Sequence, residues 1–362
     1  MLPIQTAIIC MLLLLRLWRR GESQLGSKPV ILAVAAFAAS ALGWGAIVLY
    51  IAAPTLYVIL QVPIMWLFMG VNVLYYRFIY EITKTDPGEK FSLWHYGLPT
   101  LIALIYLVWS LFVPFGIQCF LVESKGEIVD GYEAYSWFST SKPLLFSLFL
   151  IVYTVITIIR ARHFSRAVIN YSADEGRMSL SWLYKILYPL LGMALLAATL
   201  VLFSNKTLTS TPVIIIPLFF FIFRDVMLTH NILLDNFVVI ATEPCGEQQP
   251  EDAPCPSLVP ITREDIRRLE SYMRRAKPYL KPKLKITDMT TDLGTNRTSL
   301  SRLINRTYGM NFSRFINRYR MEELERLQAD SKNAGVPELD LIARAGFSDW
   351  RGYVRVKNRE KI

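Results

Sequence analysis

The chain has 362 residues, of which 53% are hydrophobic and 19% are charged, and its formal net charge is +10 at pH 7. Its mean hydropathy of +0.34 excludes an ordinary soluble protein and indicates membrane spans. Residues 261 to 362 contain 23 of the 39 Lys and Arg but only 13 of the 29 Asp and Glu. A basic domain behind a neutral, apolar body suggests that a polyanion binds this domain alone.

Seven apolar runs that contain no charged residue predict membrane-spanning helices, because one bilayer crossing needs about 20 such residues. They predict an all-α, polytopic helical bundle over residues 1–230 with seven spans, or six if the first segment lies at the membrane surface. The runs are Pro3 to Leu15, Val30 to Ala52, Leu56 to Tyr76, Gly97 to Ile117, Pro143 to Ile159, Ile186 to Phe203 and Thr207 to Phe223.

The connections between these runs differ in their basic residues. Those at 16–28, 77–96 and 160–185 contain 12 Lys and Arg, whereas those at 118–142 and 204–211 contain 3. Because the connections richer in Lys and Arg lie in the cytoplasm, the segment after Phe223 is cytoplasmic as well. The sequence therefore predicts a multi-pass protein of the inner (cytoplasmic) membrane with a cytoplasmic C-terminal domain.

Polar side chains in the predicted bundle gather on one face of its third span. Tyr57, Gln61, Asn72 and Tyr76 fall within about a quarter turn at 100° per residue. They line a binding pocket for an unknown signal ligand, or they make hydrogen bonds between helices, and we favour the hydrogen bonds. No residue pattern for catalysis, a cofactor or a metal site stands out, so we expect neither an enzyme nor a metalloprotein.

The composition changes between the bundle and the basic domain. Residues 231–260 form a predicted juxtamembrane segment and linker, with five prolines between Ala241 and Pro260. After the linker, Thr262 and Asp265 have the spacing of a capping box that opens a helix up to Ala276. The cytoplasmic domain is therefore predicted to cover residues 261–362.

A helix, a glycine turn and a second helix are predicted between Ile286 and Tyr308. Met289 and Leu293 share one face of the first helix, which Thr287 is expected to cap, and Gly294 suits the turn. Thr295 or Asn296 is expected to cap the second helix. That helix has an inner face of Leu300, Leu303 and Ile304, and its outer residues are Arg297, Thr298, Ser301, Arg302 and Arg306.

The same arrangement is predicted a second time. Pro337 to Ala345 forms a short helix with Leu339 and Ile342 as its apolar residues, and Gly346 makes the turn. Asp349 is expected to cap the last helix, which carries Trp350, Arg351 and Arg355. A longer amphipathic helix, Phe312 to Ala329, is capped by Asn311 and joins the two pairs.

These residues resemble the DNA-binding domain of the AraC-type (AraC/XylS) transcription regulators, which consists of two helix-turn-helix units joined by a helix. The resemblance covers about the last hundred residues. Thr290 in the first unit and Ile342 and Lys357 in the second depart from the family pattern. The motifs that carry the resemblance are Leu293-Gly294, Leu300-Ser301-Arg302-Leu303, Tyr308-Gly309-Met310-Asn311-Phe312, Asn317-Arg318-Tyr319-Arg320 and Gly346-Phe347-Ser348.

The resemblance implies that both outer helices enter the major groove of DNA. Base contacts would fall on Thr298, Ser301, Arg302, Trp350, Arg351 and Arg355, whereas Arg297 and Arg306 would hold phosphates. Double-stranded promoter DNA, RNA polymerase and a second copy of the chain are the implied partners, beside the lipid bilayer. The expected function is a membrane-integral, one-component transcription regulator. The alternative is a transporter or receptor whose basic domain binds a protein or anionic lipid.

Overall fold

The computed structural model describes residues 1–20, 27–85, 88–125, 127–173, 180–203, 211–234, 236–237, 261–333 and 335–360. Within these ranges the chain is helical and contains no strand. The α-helices are α1 (Leu2–Arg20), α2 (Ser27–Ala52), α3 (Pro54–Ile59), α4 (Gln61–Ile82), α5 (Trp94–Ser110), α6 (Phe115–Glu123), α7 (Glu133–Val168), α8 (Ser181–Phe203), α9 (Thr211–Leu233), α10 (Arg263–Ala276), α11 (Ile286–Leu293), α12 (Arg297–Tyr308), α13 (Phe312–Ala329), α14 (Glu338–Arg344) and α15 (Trp350–Glu360).

Five described helices are long and apolar enough to cross a membrane, namely α1, α2, α4, α7 and the first part of α8. Helices α5 and α6 meet at a bend of 115°, and they add a sixth crossing if the pair is one span. The all-helical class and several long apolar helices are therefore compatible with a multi-pass membrane protein. The predicted seventh run, Thr207 to Phe223, begins outside the described residues, so the count of seven stays a prediction.

Two predicted spans are broken near prolines. The expected continuous run from Leu56 to Tyr76 is wrong, because the helix ends at Ile59 and restarts at Gln61. Pro63 explains the break, since its ring clashes with the carbonyl of Ile59 and it has no N–H to donate there. The run from Gly97 is likewise interrupted after α5, and Pro114 precedes the first residue of α6.

The apolar helices pack through small and aromatic side chains. Ala33, Ala36 and Gly43 of α2 are buried, as expected where α2 approaches α1 and α4 closely. By contrast, Leu101, Ile105 and other large apolar residues on one face of α5 are more than half exposed. A continuous apolar surface of this kind is suited to lipid contact.

The chain divides into two compact units, and the second contains residues 85–87, 162–180 and 236–362. Of these, 86–87, 174–179, 238–260, 334 and 361–362 lie outside the described residues, and so does the predicted Pro-rich linker. The second unit therefore includes a segment from the end of α7, well before the predicted domain boundary at residue 261.

Most helix caps predicted for the second unit are confirmed. Thr262 and Asp265 form the capping box of α10, Asn296 accepts from the Ser299 N–H at 2.8 Å, and Asn311 accepts from the Arg314 N–H at 2.9 Å. Hydrogen bonds from Thr262 lower the pKa of the Asp265 carboxyl, because they stabilise its charged form. These local signals depend on a few neighbouring residues and are readable from sequence alone.

Two local predictions for the second unit are wrong. Helix α11 begins at Ile286 with Lys285 as its N-terminal cap, two residues before the predicted cap Thr287, because the Asp288 carboxylate accepts from the Lys285 N–H at 3.2 Å. Leu339 of α14 is 58% exposed, and Leu341 is buried in its place beside Ile342.

Candidate nucleic-acid interface

Helices α11 and α12 form a pair around a glycine turn, called here the first helix pair. Gly294 has a φ of +58°, which a residue without a side chain adopts at little cost. Met289, Leu300 and Ile304 are buried on the inner faces of the pair. The opposite face of α12 is therefore left for polar residues, as its sequence predicts.

The outer face of α12 presents Thr298 and Asn305 to solvent, with Ser301 half-buried between them. The Asn305 amide nitrogen donates to the Ser301 hydroxyl at 3.5 Å, so these side chains form one polar row. The predicted contact set omits Asn305, although it follows Ser301 by one helical turn and thus shares its face. An asparagine amide matches the donor and acceptor of adenine in the major groove.

Arg302 is arranged differently from the other predicted base contacts. Its Nε and Nη1 atoms are enclosed by protein, and the side chain borders a cavity of about 210 Å³. Asp265 and Arg268 of α10 line the same cavity. The guanidinium therefore leans toward α10, and it must turn outward to reach a base edge.

The two predicted phosphate contacts also differ from each other. Arg306 is exposed in the last turn of α12, where its charge is favoured by the helix dipole. Arg297 occupies the first turn, and its guanidinium lies 5.0 Å from the centre of the Tyr171 ring. Such a cation–π contact offsets the unfavourable placement of a cation at a helix N-terminus.

Tyr171 belongs to a segment that follows α7 and packs into the second unit; we call residues 169–173 the α7 extension. The Ile286 N–H donates to the Tyr171 carbonyl at 2.9 Å, and the Ala173 N–H donates to the Leu284 carbonyl at 3.1 Å. The Tyr171 side chain is fully buried. The α7 extension is thus paired with the chain that enters the first helix pair.

Arg320 of α13 joins several parts of the second unit. Its side chain is 1% exposed, and the guanidinium donates to the carbonyls of Tyr279, Lys281, Pro282 and Ala173 at 2.7 to 3.2 Å. A buried guanidinium is stable only when its donors are satisfied in this way. Arg320 therefore holds the α7 extension and the 278–282 turn against α13.

Helices α14 and α15 form the second helix pair, again around a glycine. Gly346 has a φ of +95°, and a Cβ at this position would collide with the carbonyl oxygen of Tyr279. The Asp349 carboxylate accepts from the Gly352 N–H at 2.6 Å, so Asp349 caps α15 as predicted. The close approach at Gly346 fixes the second pair directly to the 278–280 turn.

The predicted contacts of the second pair lie at its surface. Trp350 is 45% exposed, and its ring is tilted against that of Tyr353 with 5.4 Å between ring centres. Arg351 is exposed and Arg355 is half-buried. Lys357 is exposed with its amine 5.3 Å from the centre of the Tyr353 ring, so a lysine at this position leaves the core of the pair intact.

The polar residues predicted on one membrane helix are not brought together. Tyr57 lies on α3 with its ring 5.2 Å from that of Tyr50, whereas Gln61 begins α4 beyond the helix break. Asn72 lines a cavity between helices, and Tyr76 belongs to an aromatic cluster with His95 and Tyr153. Their placement supports interhelical hydrogen bonding for Gln61 but a cavity position for Asn72.

Gln61 takes part in a buried polar network that the sequence patterns do not predict. Its amide nitrogen donates to Gln118, and its amide oxygen accepts from the Tyr106 hydroxyl, both at 2.5 Å. The Lys142 amine donates to the same Tyr106 oxygen at 2.8 Å, and Tyr135 lies 3.0 Å from it. The network connects α4, α5, α6 and α7 through side chains that are far apart in sequence.

No protein-family model, curated protein or solved structure matches this chain. Among the residues that the structure describes, no three His, Cys, Asp or Glu side chains lie close enough to hold a metal ion.

Proposed function

We propose that the chain is a membrane-integral, one-component transcription regulator whose C-terminal unit binds double-stranded DNA in a sequence-dependent manner. The observation that carries the proposal is the polar row of Thr298, Ser301 and Asn305 on the outer face of α12. It is set on a helix whose other face is fully packed, beside the exposed Arg306. A hydroxyl, amide and guanidinium surface of this kind suits the major groove.

The net charge of the C-terminal residues supports the same partner. Residues 261–362 carry the whole positive excess of the chain, and charge of this sign attracts the phosphate backbone. In this proposal the two helix pairs are helix-turn-helix units. Their outer helices would enter successive major grooves, which lie about 34 Å apart on one face of the duplex. RNA polymerase and a second copy of the chain are further proposed partners.

The location of the DNA-binding unit has independent support in the α7 extension. Its backbone bonds to Leu284 and Ile286 require residues 169–173 and the C-terminal helices to lie on one side of the membrane. The basic connection at 160–185 is predicted to be cytoplasmic. We therefore propose the inner membrane as the location and the cytoplasm as the site of the C-terminal unit.

Signal transfer in this proposal passes through the α7 extension. Tyr171 contacts Arg297 at the start of α12, and the extension continues directly from α7. A ligand that favours one arrangement of the membrane helices shifts the DNA-binding unit only if that arrangement changes this contact.

The test uses the intact chain in lipid nanodiscs with a pool of random DNA duplexes. Selection should enrich one sequence class, and its affinity should fall steeply as salt rises. Arg306→Ala should weaken binding to all sequences and lower the salt slope by about 1, because it removes one phosphate contact. Ser301→Ala should instead reduce the preference for the enriched class.

Lys332→Ala is the matched control, because Lys332 is exposed but lies outside both helix pairs. It should leave sequence preference unchanged. Binding that ignores base sequence in the wild type and in every variant would contradict the proposal, and it would favour a basic domain that binds anionic lipid or a protein.

A further inference from the structure

A cavity of about 350 Å³ lies among the membrane helices of the first unit. Residues of α2, α4, α7, α8 and α9 form its wall, and most of them are apolar, including Trp44, Phe68 and Phe146. Its size falls at the lower end of the range for small-molecule sites. The proposed DNA binding by the C-terminal unit does not involve this cavity.

One corner of the cavity is polar. Arg224, Ser40 and Asn72 line it, and all three residues are at least nine-tenths buried. The Arg224 Nε donates to Asp225 at 2.9 Å and its Nη2 donates to the Ser40 hydroxyl at 3.0 Å. Tyr75 also packs against this guanidinium, whose carbon lies 3.9 Å from the ring centre, and among the described residues the third nitrogen, Nη1, has no hydrogen-bond acceptor within 3.5 Å.

Asn72 supplies the complementary group. Its Nδ2 donates to the Phe68 carbonyl at 3.0 Å, within the same helix. Its Oδ1 accepts no hydrogen bond from any described residue, and the side chain lines the cavity. The corner thus offers one unused donor and one unused acceptor, and burying such groups without a partner is costly.

The charge of the corner restricts what can occupy it. Arg224 and Asp225 form a buried ion pair, and the Tyr75 hydroxyl donates to the same carboxylate at 2.8 Å. The positive charge of Arg224 is therefore already balanced. A further carboxylate or phosphate would be an unpaired charge in an apolar site, which is strongly unfavourable.

We propose that this cavity binds an uncharged lipophilic molecule whose head group, an amide or a hydroxyl, accepts from Arg224 Nη1 and donates to Asn72 Oδ1. The hydrocarbon part fills the space between Trp44, Phe68 and Phe146. Binding itself is independent of the DNA-binding proposal, but the role of the molecule as the regulatory signal rests on that proposed function.

The experiment measures binding to the intact chain in nanodiscs made of phosphatidylethanolamine and phosphatidylglycerol, with empty nanodiscs as the partition control. Decanamide is the probe, and decanoate at pH 8 is its charged counterpart of equal chain length. We expect saturable binding of decanamide at one molecule per chain, with decanoate weaker by about tenfold or more.

Ala197→Leu tests the site, because Ala197 lines the cavity and a leucine there would occupy it. Ala198→Leu is the matched control, since Ala198 is the next residue of α8, is also half-buried and does not line the cavity. We expect Ala197→Leu to weaken decanamide binding by about tenfold and Ala198→Leu to leave it unchanged. Asn72→Ala should also weaken the saturable binding of decanamide, whereas partition of decanamide into the lipid should stay unchanged.

Three results would overturn the inference. They are non-saturable partition only, equal or tighter binding of decanoate, and recovery of a nanodisc phospholipid from the cavity that decanamide does not displace. DNA binding is measured on the same samples without probe. Loss of probe binding with DNA binding intact contradicts this inference alone, whereas bound decanamide with no DNA binding contradicts the proposed function alone.

Discussion

The two helix pairs of the C-terminal unit are held in place by different parts of the chain. The first pair is joined to the α7 extension, through Ile286 and through the contact between Arg297 and Tyr171. The second pair has no such connection among the described residues and is fixed by Gly346 against the 278–280 turn. The first pair is therefore the one whose position can respond to α7, whereas the second is fastened to the core of its own unit.

The largest effect is expected for Arg320→Met, which should disturb both pairs. The variant removes the donor of four carbonyls, two in buried and two in part-buried hydrogen bonds, and such a loss costs on the order of 4 kcal/mol in total. Hydrogen–deuterium exchange should accelerate in the amides of α11, α12, α14 and α15. Arg314→Met is the control, because Arg314 is exposed on the same helix. Faster exchange in one pair only would show that Arg320 does not join them.

Gly346→Ala should loosen the second pair and leave the first unchanged. The new Cβ would meet the Tyr279 carbonyl oxygen, and the backbone at a φ of +95° is strained for alanine, so we expect a loss of about 3 kcal/mol. Faster hydrogen–deuterium exchange in the amides of α14 and α15 would measure this loss of stability.

Gly335→Ala separates these two causes, because Gly335 has a φ of +91° and open space around it. That variant should show backbone strain alone, about 1 kcal/mol. Equal effects of the two substitutions would mean that the contact with Tyr279 contributes nothing.

Substitutions in the two helix pairs should weaken base discrimination by different amounts. Asn305→Ala removes an amide from the row on α12 and should cost about 1–3 kcal/mol of discrimination at one base position. Trp350→Ala should cost less, because Trp350 is the half-exposed first residue of α15 and partly packs on Tyr353. Binding-site selection with each variant measures both losses of base discrimination. A larger loss for Trp350→Ala than for Asn305→Ala would show that the second pair contributes more to base recognition than the first.

The smallest effect is expected for the cation–π contact between Tyr171 and Arg297, which Tyr171→Leu removes. Leucine is smaller than tyrosine, so the variant also loses packing at this buried site, whereas the contact itself is worth about 1 kcal/mol. Exchange should increase at the start of α12 and not in the second pair. Tyr171→Phe keeps the ring and should therefore change exchange at the start of α12 less than Tyr171→Leu does, so a change of equal size in the phenylalanine variant would exclude the cation–π contact as the cause.

Features that depend on neighbours in sequence are predictable in this chain. The caps at Thr262, Asn296 and Asn311 and the turn at Gly294 each need only a few adjacent residues, and the structure contains them all. The apolar faces of α12 and α13 follow from helical spacing in the same way.

Features that depend on residues distant in sequence are not predictable in this way. The hydrogen bond from Arg320 to Ala173 joins positions 147 residues apart, and neither residue carries a local signal for it. The predicted polar face of the third span, with Tyr57, Gln61, Asn72 and Tyr76, assumes one continuous helix. The interruption at Leu60 separates Tyr57 from the other three residues. Sequence alone therefore identifies the outer face of α12 better than it identifies the contacts that position this helix.

The α7 extension also determines what a protease could release. The second unit is built from separate stretches of chain, including 162–180 and 236–362, with α8 and α9 between these two in sequence. A single cut in the proline-rich stretch would sever the peptide bond yet leave the C-terminal fragment bound through Tyr171, Ala173 and Arg320. Release of the fragment from the rest of the protein would then require those hydrogen bonds to break as well.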